Sequence, residues 1–242
     1  MMADVVRYER DGSVGSIVLD RPPLNAYDAR MRWEMEVAWQ RAADDPDARV
    51  VVLRAEGKHF CAGADVKSFG EPIPAEATPK RAWQQMTFVR NVPKPTIAAV
   101  QGACVGGGQA FVFPCDLIFC SDDAFFRDPL IEMGVGGIHS PIHSWLYGPR
   151  LAKEMLFSGN PIPAKRLYEM GAVNRICARD ALLEETLHYA NEISGFDPAA
   201  LLHAKQSVDI TMDTMGQEHI EQRFAEALGT SWEPPGDGPR ST

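Results

Sequence analysis

What this sequence lacks narrows its possibilities before any motif is read. The 242-residue chain has no stretch approaching a membrane span, which needs about 20 consecutive apolar residues. Its first ten residues, Met1 to Arg10, have no apolar run of the kind that marks a secretory signal. Positive charge is in the minority, with 24 Lys and Arg against 33 Asp and Glu, a formal net charge of −9 and a pI of about 5.2. General nucleic-acid binding needs a basic footprint, so that class is excluded, although a local basic patch for a phosphorylated ligand remains compatible. The five cysteines (Cys61, Cys104, Cys115, Cys120, Cys177) are odd in number and include no Cys-x-x-Cys pair. A reduced, cytoplasmic setting is expected. There is no internal repeat and no low-complexity tract.

What is present is an ordinary globular composition, 45% hydrophobic and 24% charged, with material for a sizeable core. Val5–Arg10 and Val14–Leu19 predict strands joined by the Asp11-Gly12 turn. Asp28 is placed to cap a helix running to about Ala43, with Met31, Met35, Ala38, Trp39 and Ala42 on one face. Val50–Leu53 and Thr96–Val100 are short apolar runs of the buried-strand type. Leu117–Cys120 and Ala124–Phe126 predict further short strands. Arg81–Asn91, Ala164–Met170, Asp180–Ile193, Pro198–Met212 and Gln217–Leu228 predict helices. Gly70–Lys80, with Pro72, Pro74 and Pro79, predicts a surface loop or lid. Alternation early and helices late place the chain in the α/β class with a helical C-terminal extension. The boundary falls between a core over residues 1–195 and a C-terminal region over 196–242 with a loose tail.

Two segments carry the chemistry. One is His59-Phe60-Cys61-Ala62-Gly63-Ala64-Asp65-Val66-Lys67; the other is Gly102-Ala103-Cys104-Val105-Gly106-Gly107-Gly108-Gln109-Ala110, followed by Cys115-Asp116-Leu117. Each puts small residues where a predicted strand turns into a predicted helix, which frees backbone N–H groups for an anion. Two such turns facing each other form an oxyanion hole, the device of acyl transfer and enolate chemistry. Backbone donors need close approach, which favours glycine and alanine, and a bulky residue at Gly107 is expected to block the ligand.

At these motifs the sequence resembles the crotonase superfamily, the enoyl-CoA hydratase/isomerase family. The resemblance rests on Arg21-Pro22 with Leu24-Asn25-Ala26, Phe60 to Asp65, Lys94 to Val100, Gly106-Gly107-Gly108 and Cys115-Asp116-Leu117. It continues in Gly148-Pro149-Arg150, Ala152 to Leu156 and Ala172-Val173-Asn174, and spans roughly residues 5–195. It implies a crotonase-like spiral of ββα units with a helical C-terminal trimerisation region. The expected assembly is a homotrimer, or a hexamer built as a dimer of trimers. The implied substrate is an acyl-CoA thioester, with coenzyme A as part of the substrate, no tightly bound cofactor and no metal. The implied oxyanion donors are the N–H groups of Ala64 and Gly107, with Ala62, Gly106, Leu130 and Lys67 in substrate contact. Trp83, Met86 and Phe88–Val89 correspond to the region that covers the acyl pocket.

The chain also departs from the family pattern. Family hydratases use a pair of glutamates as acid and base; the matching positions here are Ala110 and Leu130, and neither side chain moves a proton. The segment Phe126 to Gly134 aligns without gaps. Two other residues are candidates for acid–base work. Glu132 lies two residues beyond the expected glutamate and, in an extended chain, faces the same side as Leu130. His139 follows the loop Gly134 to Ile138 and has the pKa range of a base near neutral pH. The bland readings are a solvated or ion-paired Glu132 and a helix-capping His139. Asp65 is read as an N-cap, Asp116 as structural, Asp128 as a turn former before Pro129, and Cys61 and Cys104 as packing residues. His139 and His143 are four residues apart, but Pro141 lies between them and no third ligand stands out. The glycine triplet lacks the further glycine of a dinucleotide fold.

Overall fold

The computed structural model describes residues 4–68, 82–134, 143–217, 219–220 and 223. Its spine is a six-stranded sheet in the order β1-β2-β3-β4-β6-β9. These strands are β1 (Val6–Asp11), β2 (Val14–Leu19), β3 (Val50–Ala55), β4 (Thr96–Val100), β6 (Leu117–Ser121) and β9 (Arg175–Cys177). The hairpin β1–β2 is antiparallel and every later pairing in this sheet is parallel. A second sheet joins β5 (Ala103–Val105), β7 (Phe125–Arg127) and β8 (Ile162–Pro163).

Parallel strands buried on both faces read as continuous apolar runs, because alternate side chains enter different cores. In β3, Val51 and Leu53 enter the larger core, with Ile17, Leu19, Trp39 and Phe60. Val50 and Val52 enter a smaller one, with Ile97, Phe119, Leu182 and Ala190. Helix α1 (Ala29–Asp44) covers the first face, burying Met31, Met35, Ala38, Trp39 and Ala42, the stripe its periodicity predicts. Its cap is Asp28, which accepts the Met31 N–H. Helix α6 (Leu182–Ser194) covers the other face. The remaining helices are α2 (Ala82–Arg90), α3 (Gly107–Val112), α4 (His143–Ser158), α5 (Ala164–Glu169) and α7 (Pro198–Thr214). Within α4, Gly148 is non-helical and Pro149 follows it, so the element bends there.

The structure differs from the sequence reading in several places. Strands β5, β8 and β9 were not expected: each has two or three residues, too few to display a period. After Ala64 the described chain forms only the single 3-10 turn Val66–Ser68, so no helix dipole is seen to act at that residue. The loop or lid read over Gly70–Lys80, and most of the helix read over Gln217–Leu228, lie outside the described residues.

Candidate active site

The two small-residue turns lie against each other. Cys61 and Cys104 form a parallel bridge, with Cys61 N–H donating to Ala103 C=O at 3.0 Å and Val105 N–H to Cys61 C=O at 2.9 Å. Closer packing follows at the glycines. A Cβ on Gly108 would sit 2.8 Å from the Cys61 Cβ and 3.2 Å from its carbonyl oxygen. A Cβ on Gly107 would overlap the ring of Tyr27. Any side chain at 107 would therefore have to displace the Tyr27 ring.

Tyr27 joins both turns. Its N–H donates to Gly63 C=O at 2.9 Å and its C=O accepts from Asp65 N–H at 2.8 Å, so its main chain brackets Ala64. Its ring meets Phe111 edge to face at 6.0 Å. Burial pushes its phenol up to about 12, so the hydroxyl stays protonated at neutral pH. Among the described residues, neither Ala64 N–H nor Gly107 N–H donates to a protein acceptor, and the adjoining Gly63 N–H and Gly108 N–H are likewise unused, whereas the amides flanking these short runs are engaged. Ala62 N–H donates to Leu24 C=O at 3.0 Å, and Gly106 N–H to Arg127 C=O at 2.8 Å. Buried or half-buried amides are normally paired. Two unpaired amides on adjoining turns are what polarisation of a carbonyl oxygen requires.

The Arg21-to-Ala26 motif supports this arrangement. Asn25 takes a left-handed conformation (φ 49°) that asparagine tolerates. Its Nδ2 donates to Glu56 C=O and His59 C=O at 2.8 Å each, and its Oδ1 accepts Arg21 N–H at 2.7 Å. Arg21 donates to Ala26 C=O at 2.6 Å and to Asp65 at 2.7 Å. That hydrogen bond is the main reason the Asp65 carboxyl lies below its ordinary range. Asp65 is held by Arg21, and its Oδ1 also accepts Lys67 N–H at 3.2 Å, a local cap on the short turn.

The other predicted residues are distributed as follows. Ala110 is half-buried on α3 against the main core, and Leu130 is half-buried in the turn after β7. Lys67 is exposed on its 3-10 turn. Glu132 is half exposed, and both of its carboxylate oxygens accept from Arg127 Nη2 at 2.6 Å. His139 lies outside the described residues, and Trp83 stands in the first turn of α2. Asp128 does form the expected turn, accepting Leu130 N–H at 3.2 Å, and is also fully buried. Asp116 is structural: it accepts Thr96 N–H at 2.8 Å, Thr96 Oγ1 at 2.9 Å and Lys205 Nζ at 2.9 Å. No group of three or more metal-binding side chains occurs among the described residues. Sequence reasoning missed Tyr27 and the roles of Arg21 and Asn25. The Leu24-Asn25-Ala26 signature was visible, but not what it held.

Comparison with known proteins agrees with this geometry. The enoyl-CoA hydratase/isomerase family model matches residues 9–229. A carnitinyl-CoA dehydratase of Citrobacter koseri is 31% identical over 225 residues, 90% of this chain and 85% of that protein. The crystal structure of a probable enoyl-CoA hydratase from Mycobacterium smegmatis superposes with a TM-score of 0.81 at 40% identity, covering 93% of this chain and 97% of the other. An enoyl-CoA hydratase/isomerase structure from Xanthobacter autotrophicus gives a TM-score of 0.83 at 31% identity, covering 93% and 86%.

Proposed function

Because the chain belongs to the enoyl-CoA hydratase/isomerase family, we propose that it binds an acyl-CoA thioester and stabilises its enolate through the N–H groups of Ala64 and Gly107. A thioester oxygen gains negative charge as the α-carbon loses a proton or the β-carbon is attacked. Donors aimed at that charge favour the transition state over the substrate, and one such donor contributes roughly 3–4 kcal/mol. The observation that carries the reading is that two turns joined through Tyr27 each present unused amides, Ala64 N–H in one and Gly107 N–H in the other. Ala62, Gly106, Leu130 and Lys67 are assigned to substrate contact around them.

The reaction type placed first is addition or loss of water, or double-bond isomerisation, as in the hydratases and dehydratase it resembles. With Ala110 and Leu130 at the usual glutamate positions, the proton must be handled elsewhere. His139 and Glu132 are candidates, and Glu132 would first have to leave Arg127. Decarboxylation, C–C cleavage and thioester hydrolysis begin with the same polarised carbonyl. The lack of a carboxylate at 110 and 130 also favours a second reading, acyl-CoA binding without turnover. The chain is further proposed to be cytoplasmic, to need no tightly bound cofactor and to form a homotrimer or a hexamer. Exposed Phe196, Val208, Ile210 and Met215 in the C-terminal region support self-association.

A panel of enoyl-, 3-hydroxyacyl- and 3-oxoacyl-CoA thioesters tests the proposal, with melting temperature and product mass as readouts. Thermal stabilisation with water gained or lost supports catalysis, and stabilisation without product selects binding alone. No stabilisation by any thioester contradicts both.

A further inference from the structure

Behind the glycine turn lies an acid–imidazole pair to which the site above gives no role. Asp128 directly follows β7 and is 1% exposed. Its Oδ1 accepts Leu130 N–H, but its Oδ2 has no hydrogen-bond partner among the described residues. The basic group facing it is the imidazole of His143, 3% exposed, with Nε2 3.8 Å away. That imidazole opens α4 and packs edge-on against Phe113 at 5.2 Å and Tyr147 at 6.0 Å.

Burial pushes the Asp128 carboxyl up. An ionised carboxylate here requires a counter-charge, and among the described residues His143 alone lies within ion-pair distance. A bare carboxylate and a bare imidazolium are both penalised at this depth, so the stable population carries one proton between the two groups. With ordinary pKa values of about 3.9 for aspartate and about 6.5 for histidine, the imidazole is the stronger base of the two, which favours the proton on the ring.

The pair is one residue from the oxyanion turn. Arg127 C=O, immediately before Asp128, accepts Gly106 N–H at 2.8 Å and Gln109 Nε2 at 2.9 Å. Asp128 acts electrostatically on the phenol of Tyr27, which lies on Gly107, and on that of Tyr147. Among the described residues, the titratable groups facing the pair are Tyr27 before α1, Tyr147 on α4, and beyond Tyr147 the thiols of Cys104 on β5 and Cys120 on β6. Burial pushes all four up, so they remain neutral near neutral pH. Arg127 is directed to Glu132 and to Gly159 C=O, and Gln109 is uncharged. His143 is therefore the group of this cluster whose ordinary range lies nearest neutral pH.

We infer that Asp128 and His143 form a buried ion pair that positions the glycine turn and the Pro129–Leu130 segment and sets the pH dependence of turnover. His143 in its charged form is the active state. Its link to turnover rests on the proposed acyl-CoA chemistry; the ion pair itself does not.

The test is imidazole NMR on the full chain across about pH 5 to 8, with His143 identified by the signal lost in His143→Gln. The pair predicts a charged His143 at neutral pH in the native chain. In Asp128→Asn its midpoint should fall by about one to three pH units. The alkaline limb of kcat/KM should move to lower pH by the same amount. A neutral His143 at pH 7 in the native chain overturns the inference even if Asp128→Asn does not fold. So does a variant that lowers Tm but leaves the midpoint and the limb in place. If no acyl-CoA is turned over, the proposed function fails while the NMR result still decides the ion pair.

Discussion

The ring of Tyr27 lies against the Cα of Gly107, while the main chain of the same tyrosine is bonded on both sides of Ala64. One residue thus sets the spacing between the two proposed donors. A methyl at 107 would collide with that ring. Gly107→Ala should lower turnover about 100-fold, the scale of an approximately 1 Å misplacement. Tyr27→Ala removes the collision, so the double variant should lose less than the sum of the single losses. A coupling of about 0.5–3 kcal/mol in a double-mutant cycle is expected, and additive losses would separate the two residues.

Arg21 holds the other turn. The Asp65 carboxyl lies below its ordinary range chiefly because Arg21 donates to it. A carboxylate depressed in this way stabilises the fold above its unfolded pKa. That contribution is lost as pH falls through the folded value. Between about pH 5 and pH 2 the urea midpoint of the native chain should fall more steeply than that of Asp65→Asn or Arg21→Ala. Parallel curves would remove the ion pair from the account.

Lys205 anchors α7 to the sheet. Its side chain is 8% exposed, and its ammonium meets Asp116 Oδ2 at 2.9 Å and Lys94 C=O at 3.2 Å. Asp116→Ala also strips acceptors from Thr96, so a loss of roughly 2–4 kcal/mol is expected in denaturant titration. A loss below about 0.5 kcal/mol is typical of a surface pair and would contradict this anchoring.

All five cysteines are buried and unbonded to one another. Burial raises every thiol whose shift is described, Cys61 and Cys177 each to about 11. A thiol reagent at about pH 8 should label the native chain slowly and all five positions once it unfolds. Rapid labelling of the native chain would show that these thiols are reached without unfolding.

The elements long enough to show a period were legible in the sequence: the α1 stripe, its Asp28 cap and the apolar runs of β2, β3 and β4. Residues of β5, β8 and β9 carry no such pattern, because their pairing is set by distant partners such as Arg127 and Phe126. The two turns were visible as motifs, since small residues and glycine runs are local signals. Tyr27 was not, because a tyrosine before a helix cap gives no sign that its ring will rest 80 positions away in the chain, on Gly107. The Asp128–His143 pair was hidden for the same reason. Its two residues lie on either side of a glycine-rich stretch, and only folding brings their side chains to 3.8 Å.

A crystal structure of this chain with a bound acyl-CoA tests the central claim most directly. The account predicts the thioester oxygen within about 3 Å of both Ala64 N and Gly107 N. A thioester bound elsewhere, or either amide donating to a protein carbonyl with acyl-CoA in place, would contradict it.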